Sequence, residues 1–342
     1  CIFWPPGTPE AYRAARIYIV LSIGGAAFAL MSIIYLNVAR IYSEPESLTL
    51  FMYFLGFMGF GVKSAVFPLH IWLPKASVAP TPVTALLHAV AVVKAGVFAV
   101  IRLTYYGYTA TLIRGTVVQT VLILIAAFTI VFGAARAVKE VNWKKRLAYS
   151  TVDNLSYILF GALLLSPQGA AAAFMHMAFH AQIKILSFFA AGTVLHHTGR
   201  SSVYELDGLG RKMPLTMICF TVSALGLVGI PPFSGFISKW YLLLASADKG
   251  SWQAYVGAGA ILASALMTAI FMLTSVRRIW FPDREADLQS LEKVHEAGQL
   301  MTVPMLILAL SILILGLFPG PVITAAQKIG EEAFLTAVGG GF

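Results

Sequence analysis

In the stretch FMHMAFHAQIKILSFF, His176, His180 and Lys184 recur at every fourth residue. Four residues of α-helix overshoot one turn by about 40°, so the three lie along one stripe of a helix. Imidazole titrates near neutral pH, and a lysine drawn out of water can also release and regain a proton. A plainer alternative is a pair of histidines tied to hydroxyls or backbone of neighbouring helices; two histidines in line with a lysine favour a proton relay. Lys63, Lys94 and Lys239 also fall inside apolar runs. His88 lies six residues before Lys94 in PTPVTALLHAVAVVKAGVFAVIR, a spacing that does not bring the two closely onto one helical face. A charge at the centre of a bilayer costs at least about 2.5–3.5 kcal/mol. Four such lysines therefore demand neutral forms, water or counter-charges.

Counter-charges are scarce. Of the 15 acidic residues only Asp153 lies within an apolar stretch. His176 and His180 have the spacing of helical metal ligands, but no acid or thiol accompanies them, so zinc and iron sites are not expected. Cys1 and Cys219 are too few for a disulfide framework or a thiolate cluster. No Walker A loop or dinucleotide fingerprint is present. No cofactor is expected, and neither is ATP-driven pumping by this chain alone.

The elements that must hold these groups are interrupted at two places. Pro68 and Pro74 follow Lys63 in KSAVFPLHIWLP, and Gly229, Pro231, Pro232 and Gly235 precede Lys239 in GIPPFSGFISKW. Proline removes a backbone donor and clashes with the preceding turn, so both helices are expected to break, at about 67–74 and 229–235. Unwound backbone at membrane depth survives only where protein or a wet cavity satisfies it, and paired broken helices mark transport sites near the midplane.

Membrane depth follows from composition. Of 342 residues 58% are hydrophobic and 11% charged, far below the roughly 25% charged of soluble chains. Lipid must solvate such a chain, and its net charge of +9 reflects basic cytoplasmic loops rather than nucleic-acid binding. Apolar stretches of about 20 residues fall at 11–39, 48–71, 81–103, 114–138, 147–166, 168–197, 213–245, 252–280 and 300–322. The fold class is an all-α polytopic membrane protein of about nine transmembrane helices, two of them broken. Loop by loop, fifteen basic residues fall on one side, including Lys144, Lys145, Arg146, Arg284 and Lys293, and five on the other, including Arg40 and Arg114. This bias puts Cys1 in the cytoplasm and the C-terminus outside, in a prokaryotic cell membrane. The broken helices are the second and seventh, five crossings apart and so opposed in direction, as in an inverted repeat. No signal peptide precedes the first apolar stretch, and Cys1 is not expected to be the natural start.

The block KSAVFPLHIWLPKASVAPTPVTALLHAVAVVKAGVF resembles the central signature of the proton-conducting antiporter-like membrane subunits. These occur in respiratory complex I, group 4 membrane-bound hydrogenases and Mrp-type sodium/proton antiporters. KKRLAYSTVDNLSYILFG, HMAFHAQIKILSFFAAG and GIPPFSGFISKWYLL resemble three further blocks in the same order, so that the resemblance covers about residues 10–322. The wording of LLHAVAVVKAGVF and MPLTMICFTVSALGLVGIPPFSGFISKW is most similar to the D-type subunit of Mrp antiporters.

The resemblance implies that the chain corresponds to the last nine of about fourteen helices. Residues 1–113 would close a first inverted five-helix repeat, 114–281 form the second, and 282–342 hold a cytoplasmic loop, a closing helix and an outer tail. Lys63 would be the lysine that pairs with a buried glutamate on a helix ahead of residue 1. His88 or Lys94 would be the next link, Lys184 the central relay lysine with His180 or His176 beside it, and Lys239 the terminal lysine. Gln182 departs from the apolar residue usual there, without abolishing a relay. The expected partners are other membrane subunits, the lipid bilayer and protons, with Na+ as a further candidate. The rival readings are a proton-pumping subunit of complex I or of a hydrogenase, a structural subunit that conducts nothing, and a self-contained transporter of an organic solute, which four buried cations suit poorly.

Overall fold

The computed structural model describes residues 8–39, 45–282, 291–292 and 294–338. Cys1, Arg40, Arg284 and Lys293 lie outside the described residues. Long helices carry the apolar stretches: α1 (Pro9–Ala39), α7 (Val117–Lys139), α9 (Pro167–Thr198), α13 (Trp252–Trp280) and α14 (Gln299–Leu317). Each is long and apolar enough to cross a bilayer. Helix α8 (Trp143–Leu163) has a lower apolar content and is buried along nearly its whole length. Protein rather than lipid surrounds it, so it can carry polar side chains.

The breaks shape the remaining elements. Helix α2 (Glu46–Gly61) stops one residue before Val62, and irregular turns lead to the short α3 (Trp72–Lys75). The interruption thus begins at Val62, beside Lys63 and earlier than the prolines alone predict. Pro68 follows the turns, and Pro74 is buried within α3. The indole N–H of Trp72 donates to the carbonyl of Val62 at 2.6 Å, satisfying one group that the unwinding frees. The second expected break separates α11 (Pro214–Val228) from α12 (Ser234–Lys249). Gly229 makes the turn at φ +88, a left-handed conformation that other residues adopt only with strain.

A third break was not expected. The stretch 81–103 is not one helix but α4 (Thr81–Ala89) and α5 (Val92–Arg102). The N–H of Ala91 reaches back five residues to the carbonyl of Leu86. This is a bulge of one wide turn, the kind of defect that collects at functional sites. Short α6 (Ala110–Ile113) and α10 (Leu209–Lys212) cap loops at either end of the bundle.

Contacts across the bundle set the helix directions. Tyr53 of α2 meets Thr104, just beyond α5, while Lys63 lies against Gly96, so α2 and α5 are antiparallel. Thr81 lies against Gly192 and Lys94 meets His180, so α4–α5 runs antiparallel to α9. Gly235 approaches Ile183 and Ser238 bonds His176, so α12 also opposes α9. Helices α2 and α12 therefore point in opposite directions.

Helix α9 is the axis, packed by α4, α8, α11, α12 and α14. The closing element differs from expectation: the course of α14 is interrupted at Phe318–Pro319, and Gly320–Val338, expected as a tail, forms helix α15. Met305 meets Thr193, Ser311 meets Gln182, and Gly330 lies on Pro167 and Ala171. Together α14 and α15 follow α9 in reverse along most of its length.

Candidate functional site

The middle of α9 presents His176, His180 and Lys184 to the breaks around it, all three buried. Nδ1 of His180 lies 2.6 Å from Nζ of Lys94, a direct bond between α9 and α5. His180 stacks on His176 with ring centroids 5.7 Å apart. His176 in turn has Ser238 Oγ at 3.0 Å from Nδ1 and Asn154 Oδ1 at 3.2 Å from Nε2. Lys239, the next residue on α12, donates to the carbonyls of Leu227 at 2.6 Å and Val228 at 3.0 Å. Those carbonyls end α11 and lack helical partners, so the break itself is the ligand of the lysine. The ammonium also sits 5.6 Å from the centre of the Tyr157 ring.

Lys184 turns the other way along α9. It donates to the carbonyl of Leu147 at 3.0 Å and to the hydroxyl of Ser150, both on α8. One turn further on, Asn154 donates to the Ser150 carbonyl at 2.9 Å. A single turn of α8 thus joins the surroundings of Lys184 to those of His176.

The other expected residues are less connected. His88 is fully buried, its ring tilted against that of Phe188 with centroids 5.0 Å apart, and both ring nitrogens are unpartnered. His88 and Lys94, which an unbroken helix would turn apart, both reach α9 because the bulge separates them. Lys63 is half-buried and faces α1, where it donates to Tyr18 Oη at 2.9 Å and to Ser22 Oγ at 3.1 Å. Gly96 permits this: a Cβ there would sit 2.6 Å from Cβ of Lys63.

Asn154, Ser150, Ser238 and Tyr157 are the participants that spacing did not reveal. The available signal was polarity: serine and asparagine within STVDNLSY sit in a span that should otherwise be apolar. Asn154, His176, His180, Ser238 and Lys239 line a narrow gap that leaves no room for a water molecule. Chemically, the arrangement offers basic nitrogens at hydrogen-bond or stacking distance across the bundle, separated by one dry step.

Known proteins share this architecture. The family model described as NADH:quinone oxidoreductase/Mrp antiporter, TM, matches residues 8–268. NADH-quinone oxidoreductase subunit N of Desulforudis audaxviator is 32% identical, across 93% of this chain and 67% of its own length. Na(+)/H(+) antiporter subunit A1 of Staphylococcus haemolyticus is 32% identical, across 94% of this chain and 41% of its own length. The membrane-bound sulfane sulfur reductase, an archaeal respiratory membrane complex, contains a chain that superposes with a TM-score of 0.85 at 27% identity, covering 98% of this chain and 69% of that one. This chain is a multi-pass membrane protein and belongs to the family of antiporter-like membrane subunits found in NADH:quinone oxidoreductases and Mrp antiporters.

Proposed function

We propose that the chain is a proton-translocating subunit of a multisubunit membrane complex, carrying H+ along Lys94, His180, His176 and Lys239, with Lys184 as the central lysine that the relay requires, joined to His176 through Ser150 and Asn154 of α8. The observation that carries this reading is the Lys94–His180 bond in the middle of α9, continued through the stacked His176 to Ser238 at the second break. A proton on the Lys94 ammonium can pass to Nδ1 of His180 along that bond. The step from His180 to His176 is a stack, not a hydrogen bond, and the proton crosses it when the dry gap opens to admit water. Lys239 takes it up next, its charge balanced by the open carbonyls of Leu227 and Val228.

In this reading the drive comes from partner subunits: electron transfer, or an opposing sodium gradient. Both kinds of complex occur among its relatives. Its wording is most similar to an Mrp-type D subunit, and the opposed directions of α2 and α12 support an inverted repeat, for which we take 1–113 and 114–281 as the bounds. By the bias of its basic loops, the end of α9 that bears His196 and His197 would face the cytoplasm of a prokaryotic cell.

The test is Lys184→Ala in the assembled complex within everted membrane vesicles. Proton movement is driven by a sodium gradient or by electron transfer, whichever the copurified subunits support. Transport is expected to fall about tenfold or more, as for loss of a group worth about 1.4 kcal/mol in the barrier, with normal assembly. Wild-type transport by the variant would refute the relay.

A further inference from the structure

We infer that Asp153 is the carboxylate of the relay, and that Asn154 couples its charge to His176. This rests on the proposed proton-translocating function and names a residue that function does not use.

Asp153 is fully buried in the middle of α8. Its Oδ1 accepts from the backbone N–H of Asn154 at 2.6 Å and from Nδ2 of Asn154 at 2.7 Å. Its Oδ2 accepts from Ser264 Oγ of α13 at 3.1 Å. All three partners are donors, the environment an ionised carboxylate requires, since it can only accept. The surrounding elements supply cations and no second acid: Lys184 and Lys239, on α9 and α12, are the charges that bear on it. Helix α7 contributes Gly133, packed against the Asp153 backbone, and α13 the Ser264 hydroxyl. Lys94 of α5 reaches the same network through His180.

The hydrogen bonds also assign the protons. Nδ2 of Asn154 has two hydrogens, one donated to the Ser150 carbonyl and one to Asp153. Its Oδ1 is therefore the atom facing His176, and Nε2 of His176 must carry a hydrogen to donate to it. On the other side, Ser238 Oγ has the Gly235 carbonyl as an acceptor at 3.3 Å. With that hydroxyl hydrogen engaged, Nδ1 of His176 can donate to Ser238 as well. The site thus accommodates a doubly protonated His176 without an orphaned donor. The bound proton is the added positive charge; Asp153 is the anion that balances it, two hydrogen bonds away through Asn154. When the proton leaves for Lys239, Nδ1 becomes an acceptor and Ser238 rotates its hydroxyl to donate back.

The experiment compares Asp153→Asn, Asp153→Glu, Ser264→Ala and Lys184→Ala in the assembled complex in membrane vesicles, following driven proton transport against pH. Asp153→Asn keeps the shape and removes the charge. Transport is expected to fall at least fivefold, with the alkaline fall-off moved to lower pH because the neighbouring bases lose an anion that favours their protonated forms. Asp153→Glu restores part of the rate. Ser264→Ala moves the fall-off the same way by less, and it decides the matter if Asp153→Asn does not assemble. An unchanged pH profile in Asp153→Asn, or in Ser264→Ala where Asp153→Asn does not assemble, overturns the inference, even where the rate falls. If Lys184→Ala abolishes transport while the Asp153 variants keep the wild-type profile, this inference fails and the relay stands. Wild-type transport in Lys184→Ala would instead refute the relay.

Discussion

His88 makes a residue-scale test of function against packing. A buried imidazole with both nitrogens unpartnered costs roughly 1–3 kcal/mol per unsatisfied group, and the Phe188 ring beside it gives no hydrogen bond in return. His88→Phe should therefore leave the thermal midpoint of the complex unchanged or higher, because it removes the unsatisfied atoms and keeps the ring contact with Phe188. If His88 links Lys94 to the α8 side of the bundle, transport falls in the same variant. Unchanged transport there removes His88 from the pathway. At this scale the sequence was informative about which residues matter and less so about their bonds. The His176–His180–Lys184 stripe is legible because helical spacing is periodic. The Lys94–His180 bond is not, because it depends on the relative placement of two helices. Asp153 was visible as the lone acid in an apolar span, but its partners Asn154 and Ser264 acquire meaning only through α8 and α13 packing.

Among the elements, the two proline-bearing breaks are readable because proline and glycine act on their own backbone. The break between α4 and α5 is not, since LLHAVAVVK contains neither residue. Packing against α9 imposes it, with Thr81 held on Gly192 at one end and Lys94 on His180 at the other. The closing stretch is hidden from hydropathy for a related reason: after Pro319, helix α15 carries Lys328, Glu331 and Glu332, while α9 still supports it. Gly229 tests how closely a break is fitted to its lysine. A Cβ there would lie 2.9 Å from Cδ of Lys239, and the left-handed backbone adds roughly 1–2 kcal/mol of strain. Gly229→Ala should lower the thermal midpoint and slow transport together. A variant with unaltered transport would show that Lys239 needs no fixed seat.

The chain spans 67% of the subunit N relative and 41% of the antiporter subunit relative. Lys63 is directed at Tyr18 and Ser22 of α1, and much of α1 beyond them is exposed and apolar. A carboxylate from another helix, preceding residue 1 or on a neighbouring subunit, is expected within about 4–6 Å of Lys63, where an opposite charge acts strongly. A structure of the assembled complex checks this: the absence of any carboxylate able to reach Lys63 refutes a paired lysine there. The gap lined by Asn154, His176, His180, Ser238 and Lys239 has a consequence of its own. A permanently hydrated path would short-circuit the membrane, letting protons run down their gradient with no work done. The close fit of Ile183 and Leu227 around that gap is then an insulator, and enlarging it should damage coupling before it damages conduction. Leu227→Ala, with its residual cavity, should let an imposed pH gradient collapse faster in vesicles given no driving reaction, while driven transport still proceeds at a lower yield of protons per turnover.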